Sequence, residues 1–196
     1  MSKVIWKPGT LLAPVPAVLV SCGTLEKPNV LTIAWTGIVN SDPAMTYVSV
    51  RKERFSHDLI AQSGEFVINL TTAALARATD LCGVKSGRDT DKFQLAKLTP
   101  EPAPQLSCPM IAESPVSLEC KVTQTLSLGS HDMFLAKIVA VNVDESLLDD
   151  KGKLHLSRCG LLSYAHGEYF AQGRRLGSFG CSVRKKVPAN KRRAAK

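Results

Sequence analysis

The sequence predicts a mainly β protein, an antiparallel Greek-key barrel with short flanking helices. Three observations carry this. Apolar, β-branched runs of strand length recur along the chain, punctuated by Gly, Pro and Asn; only two segments carry helix signals; and strands do not alternate with helices as a parallel βαβ sheet requires. The sequence contains no GxGxxG or GxxxxGK[ST], which agrees with excluding a doubly wound nucleotide fold.

In chain order, strands are expected at Pro16–Cys22, Asn29–Thr36, Thr46–Val50, Glu65–Leu70, Val116–Leu128 and Met133–Val143. One helix is expected from about His57 to Gln62, with Ser56 as N-cap, Asp58 in the first turn and Gly64 as stop. A second is expected from about Thr72 to Leu81, ending before Gly83. Five prolines in residues 99–115 make that stretch an extended connection. The two long strands after it are joined around LGSHD as a hairpin.

With 196 residues, 44% of them hydrophobic, the chain suits one compact domain that needs no staples. That domain is expected to span residues 1–183. Residues 184–196, RKKVPANKRRAAK, hold seven Lys and Arg and no acid; without them the 25 basic residues fall to 18, against 17 acidic. The net charge of +8 therefore belongs to a tail expected to be disordered, and the body is near neutral. Nucleic-acid binding loses its main support, since the tail has neither heptads nor interleaved aromatics. No apolar run reaches the ~20 residues of a membrane span, and MSKVIWKPG lacks a signal segment, so the expected setting is cytoplasmic with no membrane partner. The six cysteines form no CxxC and no Cys/His cluster at zinc spacing, so no metal site is expected. Cys82, beside Gly83, is the one expected to be accessible.

Three places could carry chemistry. In NVLTIAWTGIVNSDP, alternation gathers Val30, Thr32, Ala34 and Thr36 on one face, which could receive a flat ligand or could be a half-exposed edge strand. In VSVRKERFSHDLI, a strand ending near Val50 is followed by Arg51, Arg54 and Ser56 at a helix start. That arrangement is either an anion site, most naturally for phosphate, or a solvated turn with local ion pairs. In DLCGVKSGRDTDKF, Gly83 and Gly87 permit close backbone approach around Ser86, with Lys85, Arg88 and Lys92 adding charge.

Together, NxxTxAW (Asn29–Trp35), VSVRxxRxSHxLI (Val48–Ile60), GEFVINL (Gly64–Leu70), DxCGxxSGRDxDKF (Asp80–Phe93) and GSHDMF (Gly129–Phe134) resemble the flavoredoxin or flavin reductase-like family of FMN-binding split barrels. The resemblance covers roughly residues 10–175 in order. It implies a homodimer of split barrels with FMN held noncovalently near the subunit interface, acting either as an oxidoreductase with NADH or NADPH as donor and free flavin, a ferric complex or a protein as acceptor, or as a flavoredoxin-type electron carrier without its own nicotinamide turnover. The implied cofactor-binding residues are Asn29, Thr32, Ile33, Ala34, Trp35, Thr36, Ser49, Val50, Arg51, Arg54, Ser56, His57, Cys82, Gly83, Ser86, Lys92 and Phe93. Arg51, Arg54 and Ser56 match phosphate-binding positions. His131 matches a histidine near the nicotinamide and flavin.

Overall fold

The computed structural model describes residues 1–183; the predicted basic tail lies outside the described residues. Fifteen strands and helices follow one another among the described residues. They are β1 (Val15–Pro16), β2 (Val18–Gly23), β3 (Pro28–Ile33), β4 (Thr36–Ser41), β5 (Ala44–Arg51), α1 (Phe55–Ser63), β6 (Glu65–Leu70), α2 (Ala76–Val84) and α3 (Lys92–Ala96). Then come β7 (Pro100–Glu101), β8 (Met110–Ile111), β9 (Val116–Ser127), β10 (His131–Val143), β11 (Leu162–Ala165) and β12 (Glu168–Ala171).

Seven strands form one antiparallel sheet in the order β3-β2-β6-β9-β10-β5-β4. Three hairpins, β2–β3, β4–β5 and β9–β10, interleave with β6, which gives the sheet its Greek-key character. The sheet curls until its two ends meet: the backbone of Trp35, just past β3, accepts a hydrogen bond from Ser49 N on β5 at 3.0 Å. Inside the curl lies a core of Val18, Val20, Leu31, Ile33, Val48, Val50, Phe66, Ile68 and Phe134, closed by Ile60 of α1. Each such side chain, fully buried, contributes about 1.5–3 kcal/mol relative to exposure. A second cluster outside the sheet packs α2 and α3 on β2 and β3 through Leu19, Val30, Leu75, Ala78, Cys82, Phe93 and Leu98. A small sheet, β1-β11-β12, stands beside the barrel.

Several expectations need correction. The single strand Asn29–Thr36 is two: β3 stops at Ile33, and the chain turns at Ala34–Trp35 to begin β4 at the opposite end of the sheet. The proline-rich connection contains one short antiparallel pair, β7 with β8, in which Pro100 sits opposite Ile111. The N-cap position of α1 is Arg54, with no side-chain cap; Ser56 lies inside the helix, buried, and its hydroxyl serves another partner. Gly64 does end α1, in the left-handed conformation, with its N–H donating to the Ile60 carbonyl. Helix α2 runs through Gly83 to Val84, so Cys82 is helical and fully buried, and burial pushes its thiol up to about 11. It is not the accessible cysteine the sequence suggested.

Candidate functional site: two joined cavities

The end of β5 and the start of α1 place Arg51 and Arg54 between two cavities. The first, about 450 Å³, is lined by Thr32 and Ile33 from the end of β3, Ala34 and Trp35 from the turn to β4, Ser49 and Arg51 from β5, Asp80 and Gly83 from α2, His131 from β10, and Tyr164 and Tyr169 from the small sheet. The second, about 390 Å³, is lined by Arg51, Glu53, Arg54, Phe55, Ser56, Lys85, Ser86, Gly87 and Lys92. Leu31, Arg51 and Arg54 line both, so the cavities are adjoining parts of one cleft.

The first cavity is walled by rings. Trp35 and His131 lie 4.6 Å apart at a tilt of 32°, and Tyr164 meets Tyr169 edge-on at 5.4 Å. His131 stands opposite Arg51 in the β5–β10 register, and Ser130 Oγ is 2.9 Å from its Nδ1. Partial burial first, and the Arg51 charge second, hold the imidazole below its ordinary value of 6.5. It is therefore neutral at pH 7. Tyr169 donates weakly to Asp80 Oδ1 across 3.5 Å, which ties the small sheet to α2 over the cavity.

The second cavity is walled by cations. Lys92 is 5% exposed, its ammonium donates to the Cys82 carbonyl at 3.2 Å, and no carboxylate pairs with it among the described residues. Burial lowers its pKa, the cost of holding an ammonium away from water. Such a group points to an anionic ligand, because an unpaired buried charge is unfavourable until something neutralises it. Arg54 donates to the Gly83 carbonyl at 3.0 Å, which aims its guanidinium along the cleft. Arg51 reaches Glu53 at 3.4 Å, an exposed pair of little energetic weight.

A layer behind the cleft holds it in shape. Asn29 Nδ2 donates to Ser56 Oγ at 2.6 Å, tying β3 to the first turn of α1. A Cβ on Gly87 would collide with Asn29 Oδ1 and come within 2.9 Å of Phe55, so the 85–87 loop lies directly on that pair. The close approach read from the sequence is thus to protein. Thr32 Oγ1 donates to the Thr79 carbonyl, and a Cβ on Gly83 would meet Thr32 at 3.3 Å, which seats α2 on β3.

Of the sequence candidates, Thr32, Ile33, Ala34, Trp35, Ser49, Arg51, Arg54, Gly83 and His131 line the first cavity, and Ser56, Ser86 and Lys92 line the second. Asn29 acts through Ser56. Val50, Cys82 and Phe93 belong to the core. Thr36 turns its hydroxyl to the Tyr47 carbonyl, 2.5 Å away. His57 faces away from both cavities, its Nε2 bonded to Asp132 Oδ2 at 2.8 Å and its ring against Phe134. Asp80, Tyr164 and Tyr169 were missed: Asp80 opens the DxCGxxSGRDxDKF motif but was given no role, no motif marks the tyrosines, and the small sheet brings them to the site from far along the chain.

The profile of the flavin reductase like domain matches residues 11–172. A protein of Archaeoglobus fulgidus is 31% identical over 140 residues, 71% of this chain and 78% of its own length. Among solved structures, the flavoredoxin of Desulfovibrio vulgaris (Miyazaki F) superposes with a TM-score of 0.86 at 31% identity, covering 93% of this chain and all of its own. A flavoredoxin from Methanosarcina acetivorans gives 0.85 at 27%, covering 94% and 100%. An FMN-binding protein from Thermus thermophilus, solved with bound 1-cyclohex-2-enone, gives 0.76 at 25%, covering 91% and 99%. The segments that place the two cavities on one curled sheet are those the domain profile spans, and this chain belongs to the flavin reductase-like family of split barrels.

Proposed function

We propose that this protein binds FMN noncovalently and passes electrons from a reduced nicotinamide, NADH or NADPH, to an acceptor such as free flavin, a ferric complex or a protein. The observation that carries this reading is the joined pair of cavities, one walled by rings and the other by Arg51, Arg54, Lys85 and a buried Lys92 ammonium. A ligand with a flat ring at one end and a phosphate at the other fits that division. Family membership supports a flavin, and the FMN-binding relative from Thermus thermophilus supports FMN.

Bound FMN would supply the redox chemistry, accepting a hydride and releasing electrons. The chain's own residues bind, orient and shield. Arg51, Arg54, Lys92 and the Ser56 hydroxyl would hold the phosphate, and Thr32–Trp35 with Ser49 would border the ring. His131, neutral and packed on Trp35, would position a nicotinamide without adding charge beside it. Tyr169, held to Asp80, would keep water from one side of the ring cavity. No side-chain acid, base or nucleophile is needed.

Likeness to two flavoredoxins favours a second reading, an electron carrier that does not itself turn over nicotinamide. Steady-state oxidation of NADH and NADPH separates the two. We also propose a homodimer. The face of β5 and β10 opposite the core carries Met45, Tyr47, Met133 and Leu135, all half-buried, while α1 and α2 pack elsewhere, on β2, β3 and β6. No described helix is long and apolar enough to cross a membrane. The deciding experiment is the visible spectrum of the purified protein, followed by acid release. About one FMN per chain is expected, and a colourless chain that cannot be reconstituted with FMN overturns the reading.

A further inference from the structure

We propose that the segment Val4–Leu12 seats on the edge strand β4 of a second copy of this chain, against Ile38 and Val39. The proposal rests on the homodimer put forward above and adds what joins its two halves. Val4, Ile5, Trp6 and Leu12 are 90%, 104%, 70% and 88% exposed, so the segment gives its largest apolar side chains to water. It has no helix or strand of its own, and its backbone makes one tight turn, where the Leu11 N–H donates to the Gly9 carbonyl at 3.0 Å. A run of five large apolar residues in nine, all of them half-exposed or more, is the composition of a docking segment rather than of a solvated linker, which is polar.

A matching surface lies on the same chain. β4 ends the seven-stranded sheet, and Ile38 and Val39 on it are 69% and 47% exposed. β1, from which the segment departs, lies against β4 of its own copy, yet the two apolar surfaces do not meet there. A twofold dimer that brings the two β4 edges near each other lets each segment cross to the other copy. Nine extended residues reach at most about 30 Å, enough to run the length of a six-residue strand. The exchange is closed, since each copy offers one segment and one edge and neither is left over. Val39 is bulged out of the β4–β5 pairing, and Pro8 lacks an N–H, so the contact is made by side chains and not by a continuous ladder.

Sedimentation of the full chain and two full-length variants tests this, with and without added FMN. The double change Ile5→Ser with Trp6→Ser alters only residues outside the fold, and Val39→Asp places a charge on the receiving edge. Each is expected to raise the dimer dissociation constant by about a hundredfold or more, the effect of losing two buried apolar side chains or burying one charge. Combining them should add little beyond either alone. A wild-type monomer, or variants that dimerise like wild type, overturns the proposal. Should Val39→Asp fail to fold, Trp6 still decides. In Trp35→Phe it is the sole tryptophan, and its emission should move to longer wavelength as dilution splits the dimer; an emission independent of concentration overturns the proposal. None of these readouts requires bound flavin, so a chain that dimerises through the segment but never binds FMN would sink the flavin reading alone.

Discussion

The rings of Trp35 and His131 lie 4.6 Å apart, although one residue follows β3 and the other begins β10. Their contact spans the place where the sheet's two ends meet, so it reports on the closure of the barrel and on the first cavity together. In chemical terms it offers a planar ligand a neutral ring edge, because burial and the neighbouring Arg51 keep the imidazole uncharged at pH 7.

Replacing His131 with Ala is expected to slow flavin reduction by nicotinamide ~10- to 100-fold, the usual cost of losing a positioning contact, while FMN stays bound. Stopped-flow bleaching of the flavin measures it. Because the folded imidazole titrates below 6.5, the unfolded chain binds more protons there, so the wild type loses stability as pH falls from 6.5 through the folded value. The Ala variant should lack that component. Equal loss of folding and rate across all pH values would assign His131 a structural role only.

Arg51 and Arg54 line both cavities, and each has only a weak or backbone partner of its own. Changing either to Gln is expected to raise the FMN dissociation constant by roughly ten- to 150-fold, about 1.5–3 kcal/mol for a charged hydrogen bond, with riboflavin barely affected. Titrating both flavins into the apo proteins checks this. Parallel weakening of the two ligands would mean the arginines act through the fold.

Gly87 has no room for a side chain, since a Cβ there meets Asn29 and Phe55. Gly87→Ala should therefore push the 85–87 loop off the Asn29–Ser56 pair and cost about 1–3 kcal/mol in stability, as overpacking does. FMN affinity should fall with it. Gly173, with nothing within 4 Å, is the control, and Ala there should be neutral in a thermal melt.

The cationic end of the cleft was legible in the sequence because its residues are local: Arg51, Arg54 and Ser56 lie within six residues, and a strand end followed by a helix start sets their spacing. The ring end was legible only in part. Alternation through Asn29–Thr36 continues without a break, and what divides it is tertiary, the Ser49 N–H taking the Trp35 carbonyl as the chain crosses to the other sheet end. β4 shows no amphipathic pattern, with four of its six residues exposed, and exists as a strand because β5 pairs with it. Gly83 reads as a helix stop, yet α2 continues through it because a glycine lets the helix rest on Thr32. Tyr164 and Tyr169 had no signal at all, since only the packing of the small sheet beside the barrel brings them to the cleft.

Lys92 sets stability against binding. Its ammonium is buried, bonded to one carbonyl and paired with no described carboxylate, so the empty protein holds a charge it would rather lose. Burial depresses its pKa, so in the alkaline range between the folded and unfolded values the unfolded chain binds more protons, and stability of the empty protein rises with pH there. A phosphate dianion reverses the balance, because it favours the charged form. FMN binding in that range should therefore take up a proton, and affinity should fall as pH rises through the value Lys92 has in the complex. Lys92→Met, of similar length and no charge, is expected to melt at a higher temperature than wild type when both are empty. It should bind FMN about ten- to 150-fold more weakly, with riboflavin little changed. Calorimetry in two buffers of different ionisation enthalpy measures the proton uptake, which should be present in wild type and absent in the variant. A Lys92→Met protein that is less stable when empty, or that binds both flavins as wild type does, would show that the ammonium serves the fold through Cys82 and not the phosphate.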